Sequence, residues 1–210
     1  MQNVNTRRRP RNHGRRGGRG RRRSPWLLVL LALLLLAALA VVGTLAFQAQ
    51  RKAAYPLKYE EIILKYAEEY DLDPNVVAAV IHTESHFDAN AESYVGARGL
   101  MQVMPDTGGW IAQKLGIQNF DPDTLYDPDT NIRFGCWYLN YLYERYDGKH
   151  DVVFAAYNTG PNRISSWLED PRYGDGAGNF VHVPNETTRN YIEKVNSARQ
   201  RYEEYYHLGA

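Results

Sequence analysis

Asp73-Pro74-Asn75-Val76-Val77-Ala78-Ala79-Val80-Ile81-His82-Thr83-Glu84-Ser85 is the stretch on which the fold turns. Asp73 followed by Pro74 reads as a helix N-cap with proline at the first helical position. Val76, Val77, Val80 and Ile81 then recur at the spacing of one helix face. Glu84 comes seven residues after Val77, four after Val80 and three after Ile81, which sets a carboxylate on that apolar face at the helix's C-terminal end. Apolar contacts desolvate it and the negative end of the helix dipole repels it, so both surroundings disfavour the charged form. A carboxylic acid held protonated near neutral pH suits general acid catalysis of glycosidic cleavage. A buried Glu serving as a polar anchor, or one facing a crevice, fits the same pattern.

Working outward, the neighbouring segments carry the same helical period. Before Asp73, Tyr59, Ile62, Ile63, Tyr66, Ala67 and Tyr70 trace one face of a helix. After a glycine-bearing connection at Gly96 and Gly99, residues 105–115 read as a helix stopped by Gly116. Asp127-Pro128 repeats the cap signature ahead of a stripe of Ile132, Cys136, Leu139, Leu142, Tyr143 and Tyr146. Asp151 is the expected cap of a short helix over residues 152–157, broken by Gly160-Pro161. Residues 172–178, with three glycines, read as an exposed loop, and a last helix aligns Tyr191, Ile192, Val195 and Tyr202. No segment alternates with period two over any length, so the fold class is mainly α.

Charge divides the chain further. Of its 25 Lys+Arg, 10 are arginines within residues 1–25, where no acidic residue occurs, and the remainder holds 15 basic against 24 acidic residues. Residues 26–47 contain no charged side chain, and at about 1.5 Å per residue they span roughly 33 Å, enough for a bilayer core. A purely soluble protein is excluded on this reading, and a cleaved signal peptide fits less well because its apolar core is typically about 7–15 residues. The expected order is a basic, disordered cytoplasmic arm (1–25), a transmembrane signal anchor (26–47), a linker (48–58) and one domain (59–210) outside, with the arginines marking the cytoplasmic side. The Arg-Gly arm has no aromatic residue to stack bases, so attraction to anionic lipid explains it better than nucleic acid binding. Cys136 is the single cysteine, so the domain must be stable without an internal disulfide.

His82 and His86 at i, i+4 invite a zinc reading, but the Glu of the zincin pattern directly follows its first His, and Glu84 comes two residues after His82. Surface or supporting histidines are the simpler account, and no metal is expected.

Three ordered segments carry a more specific signal: Glu84-Ser85, then Gly96-Ala97-Arg98-Gly99-Leu100-Met101-Gln102-Val103-Met104-Pro105, then Ala155-Ala156-Tyr157-Asn158-Thr159-Gly160-Pro161. With Asn131-Ile132, Gly135, Tyr138-Leu139 and Thr188-Arg189-Asn190-Tyr191, they resemble the soluble lytic transglycosylase (SLT) family, relatives of goose-type lysozyme. The resemblance implies a lysozyme-like α-helical fold and a groove for peptidoglycan glycan strands of alternating N-acetylmuramic acid and N-acetylglucosamine. It implies that Glu84 protonates the β-1,4 glycosidic oxygen and then, as base, deprotonates the muramic acid 6-hydroxyl, giving a 1,6-anhydro product; lysozyme-type hydrolysis and a non-catalytic peptidoglycan-binding module are the alternatives. By the same resemblance Ser85, Met101, Gln102, Tyr157, Asn158 and Tyr191 contact substrate, Met101 as an apolar wall. No metal or organic cofactor is implied. The chain departs from the family in one place: aligned on Arg189 and Tyr191, Thr187 stands where a Glu is common, and Glu186 precedes it.

Overall fold

A computed structural model describes residues 25–209, and the basic arm expected over 1–25 lies outside these apart from Pro25. The chain divides into two compact units, 1–48 and 49–210. In the first, helix α1 (Pro25–Ala53) begins. Within its 28 residues from Trp26, an 18-residue stretch has a mean hydropathy of 2.9 and none of its side chains is buried, so the helix is long and apolar enough to cross a membrane. The helix runs six residues beyond the expected end of the apolar segment at Phe47, taking in Arg51 and Lys52.

The second unit is helical, with α2 (Glu60–Glu69), α3 (Pro74–Ser85), α4 (Pro105–Lys114), α5 (Pro128–Arg145), α6 (His150–Thr159), α7 (Pro161–Glu169) and α8 (Glu186–Tyr206), plus a short 3-10 turn over Pro122–Tyr126. Among the described residues the only β pairing is three isolated bridges, Glu92 with Arg98, Arg98 with Val103, and Gly174 with Phe180. Asp73 caps α3 by accepting from the Asn75 N–H, and Asp127 caps α5 by accepting from that of Thr130, as the Asp-Pro signatures predict.

α3 is the central element. Val76, Val77, Ala78, Ala79, Val80 and Ile81 are all at most 1 % exposed, so the helix is enclosed on every side rather than on one face. α8 packs along it and also against α6, α2 bridges α3 and α5, and α4 rests on α5. The core that results gathers the stripes of the sequence: Ile63 and Tyr66 from α2, Ile132, Cys136, Leu139 and Leu142 from α5, and Val195 and Tyr202 from α8. The Cys136 thiol is fully buried, and burial pushes its pKa far up, which makes it an inert packing group.

Gly160-Pro161 breaks α6 as expected, at Thr159, but a helix that was not foreseen follows at once: Gly160, at φ 93°, turns the chain and Pro161 opens α7, which buries Ile164. One expectation needs correction, because Asp151 is not a cap. α6 starts at His150 after Lys149, and Asp151 instead accepts a 2.8 Å hydrogen bond from Asn196 Nδ2 of α8. The 172–178 loop is exposed at Arg172, Asp175, Gly176 and Ala177, half-buried at Tyr173 and Gly178, and buried at Gly174, where a Cβ would stand 2.0 Å from the Leu168 carbonyl oxygen.

Candidate active site

Glu84 lies in the last turn of α3. The helix stops there because His86 and Phe87 both take left-handed backbone, φ 53° and 64°, and Phe87 drops into the core. The Glu84 side chain is left half-buried, facing α8. Tyr191, on the buried face of α8, donates a hydrogen bond of 2.7 Å from its hydroxyl to Glu84 Oε1. Burial raises the Glu84 carboxyl from 4.5 to about 7, and the Tyr191 bond, which favours the carboxylate, opposes this only in part. Tyr157 sits near enough for the Glu84 charge to help raise its phenol, which burial already holds well above the usual tyrosine range. Both phenols therefore stay protonated beside the acid.

The segment following α3 is fixed by side chains from three helices acting on two successive residues. Ser85 Oγ of α3 donates to the Leu100 carbonyl at 2.8 Å, Asn131 Oδ1 of α5 accepts from the Met101 N–H at 2.7 Å, and the Tyr157 hydroxyl of α6 donates to the Met101 carbonyl at 2.8 Å. Asn131 is 0 % exposed, and its Nδ2 donates to the carbonyls of Arg98 and Leu125 as well. Glycine is required at two places here. A Cβ on Gly99, which has φ 73°, would stand 2.2 Å from the Leu125 carbonyl oxygen, and one on Gly135 would stand 2.2 Å from Met101 Sδ.

Glu84, Tyr157 and Tyr191 thus converge at one place. Asn158 follows Tyr157 and is exposed at the end of α6. Gln102, at φ 49°, commits its amide nitrogen to the carbonyls of Ala91 and Gly99, so it shapes the loop. Met101 differs from expectation: its side chain is 0 % exposed over Gly135, leaving no surface for a sugar, and the surface methionine of the segment is Met104, 38 % exposed. Glu186 and Thr187 are exposed at the start of α8, whereas Thr188 is buried and its Oγ1 lies 2.7 Å from Thr159 Oγ1, tying the beginning of α8 to the end of α6.

The acids nearest in sequence have other engagements. Asp88 accepts from the Asn90 N–H, and Glu92 accepts from the Tyr126 hydroxyl at 3.0 Å. His82 is held neutral, its pKa lowered to about 4 by burial and then by the charge of His86, whose ring lies 4.8 Å away. Among the described residues no group of three or more His, Cys, Asp or Glu is placed to hold a metal ion.

A cleft of about 340 Å3 lies between α4, α5 and the start of α7, lined by Asp106, Thr107, Trp110, Tyr138, Tyr141 and Arg145 among others. Tyr138 joins it to the acid's surroundings, its ring centroid 5.5 Å from that of Tyr157. Aromatic faces with a few polar groups are suited to a saccharide. Trp110 and Tyr141 carry no motif signal in the sequence; their spacing alone suggests packing.

The family model described as "Transglycosylase SLT domain" matches residues 61–177, more than half of the chain. The soluble lytic murein transglycosylase of Escherichia coli K12 is 34 % identical over 143 residues, covering 67 % of this chain and 22 % of the relative. The membrane-bound lytic murein transglycosylase C of Actinobacillus pleuropneumoniae serotype 5b is 30 % identical over 167 residues, covering 69 % and 46 %. Among solved structures, an inactive Glu-to-Gln variant of the lytic transglycosylase Slt from Pseudomonas aeruginosa superposes with a TM-score of 0.66 at 31 % identity, covering 74 % of this chain and 25 % of that one. The chain therefore spans between about a fifth and a half of the length of these relatives. The match in sequence, the shared helical fold and the conjunction of Glu84, Tyr157 and Tyr191 lead to one assignment: the chain belongs to the transglycosylase SLT domain family.

Proposed function

We propose that this protein is a membrane-anchored peptidoglycan lytic transglycosylase in which Glu84 serves as acid and then as base. The observation that carries the reading is the state of Glu84: a carboxyl raised to about 7 by burial, touched by one tyrosine, with no second carboxylate acting on it among the described residues. Inverting and retaining hydrolases ordinarily pair two carboxyl groups, one of them to activate water or to attack the sugar. A lone acid suits a reaction whose nucleophile is already in the substrate.

In that reaction the Glu84 proton passes to the β-1,4 glycosidic oxygen as its bond to C1 of N-acetylmuramic acid breaks, releasing the N-acetylglucosamine 4-hydroxyl. The Glu84 carboxylate then accepts the proton of the muramic acid 6-hydroxyl, whose oxygen bonds to C1. The products together are isomeric with the substrate, and the acid is regenerated without water. Tyr191 orients the carboxyl and steadies its charged form between the steps. Ser85, Gln102 and Tyr157 hold the loop beside it, Asn158 offers an exposed amide to the ligand, and the Trp110–Tyr138–Tyr141 cleft accepts sugar faces. The inactivity of the Pseudomonas aeruginosa relative with Gln in place of Glu accords with one indispensable glutamate.

α1 holds the domain at the membrane, with residues 1–25 on the cytoplasmic side and the domain outside, in keeping with the relatives named membrane-bound. Peptidoglycan digested with the full chain in detergent and analysed by mass spectrometry tests the activity. Anhydro ends are expected; reducing ends would mean hydrolysis, and no released fragments a binding module. Protease protection in spheroplasts tests the orientation.

A further inference from the structure

Between the end of α1 and the start of α2 the chain forms no regular element, yet α8 holds it firmly, and the residues concerned all belong to the second unit. Lys52 Nζ donates to the Tyr205 carbonyl at 3.0 Å and stands 4.3 Å from the centre of the Tyr206 ring. The Tyr206 hydroxyl donates to the Tyr55 carbonyl and the Tyr202 hydroxyl to that of Pro56, each at 2.9 Å. Carbonyls taken up by the side chains of a packed helix fix the path of this strap instead of leaving it to water.

What the strap fixes in place is the Tyr55 ring. Its centroid lies 4.8 Å from that of His82, near the end of α3, and 6.1 Å and 6.2 Å from those of Tyr202 and Tyr205 on α8. Tyr55 and His82 share the lining of a concavity of about 480 Å3 between the two helices, together with Thr83 and Asn190, the chain neighbours of Glu84 and Tyr191. Water admitted at Tyr55 therefore arrives beside the acid.

His82 is the group the ring covers. Its Nδ1 is buried and has no hydrogen-bond partner among the described residues, so a proton placed there would find no acceptor. The groups facing the imidazole are Tyr55 from the strap, His86 one turn on with its ring at 4.8 Å, and Tyr202 of α8 at 6.0 Å; Glu193 and Lys194 of α8, opposite in charge, share the concavity. Burial and the neighbouring His86 keep the imidazole neutral. An imidazolium at this point, two residues before Glu84, would favour the carboxylate and weaken the hold of Glu84 on its proton.

We propose that Tyr55 is a positioning residue for the acid: its ring, held by the clasp of α8 on residues 52–56, keeps water and a second proton from His82, so that no cation forms beside Glu84. The inference rests on Glu84 being the proton donor, although the cover itself can be read without catalysis.

The full chain in detergent, labelled with 13C-histidine, is titrated by NMR with His82→Phe identifying the resonance, and the pH profile of kcat/KM is measured on peptidoglycan. Tyr55→Phe keeps the ring and the carbonyl and is expected to match the wild type in both. Tyr55→Ala is expected to bring His82 up from about 4 toward its ordinary 6.5. It should also move the alkaline limb down by about 0.5–1 pH unit, cutting activity at pH 7 about twofold. Combined with His82→Phe, which cannot ionise, Tyr55→Ala should leave the limb where His82→Phe alone puts it. A folded Tyr55→Ala whose His82 titrates as in the wild type overturns the proposal, as does a limb that moves just as far in the His82→Phe background. Where circular dichroism shows Tyr55→Ala unfolded, Lys52→Ala decides: the position is exposed, its loss loosens the strap, and both readings are expected to move the same way, whereas unmoved readings overturn the proposal. A wild type without lytic activity would refute the lytic reading, and the His82 titration would still decide the cover.

Discussion

The Tyr191 hydroxyl reaches Glu84 Oε1 at 2.7 Å, joining the end of α3 to the first turns of α8 across 107 residues of chain. Burial and this bond act on the carboxyl in opposite directions. A donor to a carboxylate favours the ionised form, so its removal lets burial act unopposed. Tyr191→Phe is expected to move the alkaline limb of kcat/KM to higher pH and to lower kcat as the carboxyl loses its fixed orientation. A pH–rate profile on purified peptidoglycan reads both, and an unmoved limb with unchanged kcat would remove Tyr191 from the site.

Glu84→Gln keeps the shape and hydrogen bonding of the side chain but has no proton to give. Loss of about 100-fold or more in kcat is expected, the usual scale for a positioned general acid, with glycan sedimentation retained. Wild-type turnover in this variant would sink the proposed chemistry.

The same residue ties stability to pH. The unfolded chain carries an ordinary carboxyl near 4.5 and the folded one titrates at about 7, so the folded state binds more protons between these values and loses stability as pH rises through them. Above about pH 8 Glu84→Gln should be more stable than the wild type by roughly 3 kcal/mol, with the difference gone near pH 4. His82 works on the opposite flank. Its pKa is lowered to about 4, so stability is lost as pH falls below the ordinary histidine value, and His82→Phe should flatten the acid side of the profile. Thermal melts across pH separate the two effects.

Asn131→Ala would strip partners from the Met101 N–H and from the carbonyls of Arg98 and Leu125 at once. The Arg98 carbonyl keeps the Val103 N–H, but the other two groups are left unpaired at about 1–3 kcal/mol each, so a loss of roughly 2–5 kcal/mol is expected in denaturant unfolding. Gly135→Ala, which drives a Cβ into Met101 Sδ, should cost about 1–3 kcal/mol and lower kcat by displacing the loop.

Helical stripes and Asp-Pro caps make most of the fold legible, because periodicity records which side of a helix meets the core. α7 is harder to see because Gly160-Pro161 reads as a stop, although proline at the first position starts a helix as it does at Pro74 and Pro128, and Ile164, Trp167 and Leu168 carry a usable stripe. Asp151 misleads because its partner, Asn196, belongs to a distant helix. In the site, the position of Glu84 on an apolar face foretells its shifted acidity. Met101 and Met104 share one motif, and only the three-dimensional path of the loop, folded over Gly135, decides which of them is hidden.

The clamp on Leu100 and Met101 draws on residues 85, 131 and 157, and the bond to Glu84 comes from residue 191, so the surroundings of the acid are completed in order along the chain. A growing chain leaves Glu84 open to water until α8 has been made, and an exposed glutamate ionises at ordinary acidity. A chain ending before Tyr191 lacks the donor to Glu84 Oε1, so under the proposed reaction it would carry no poised acid.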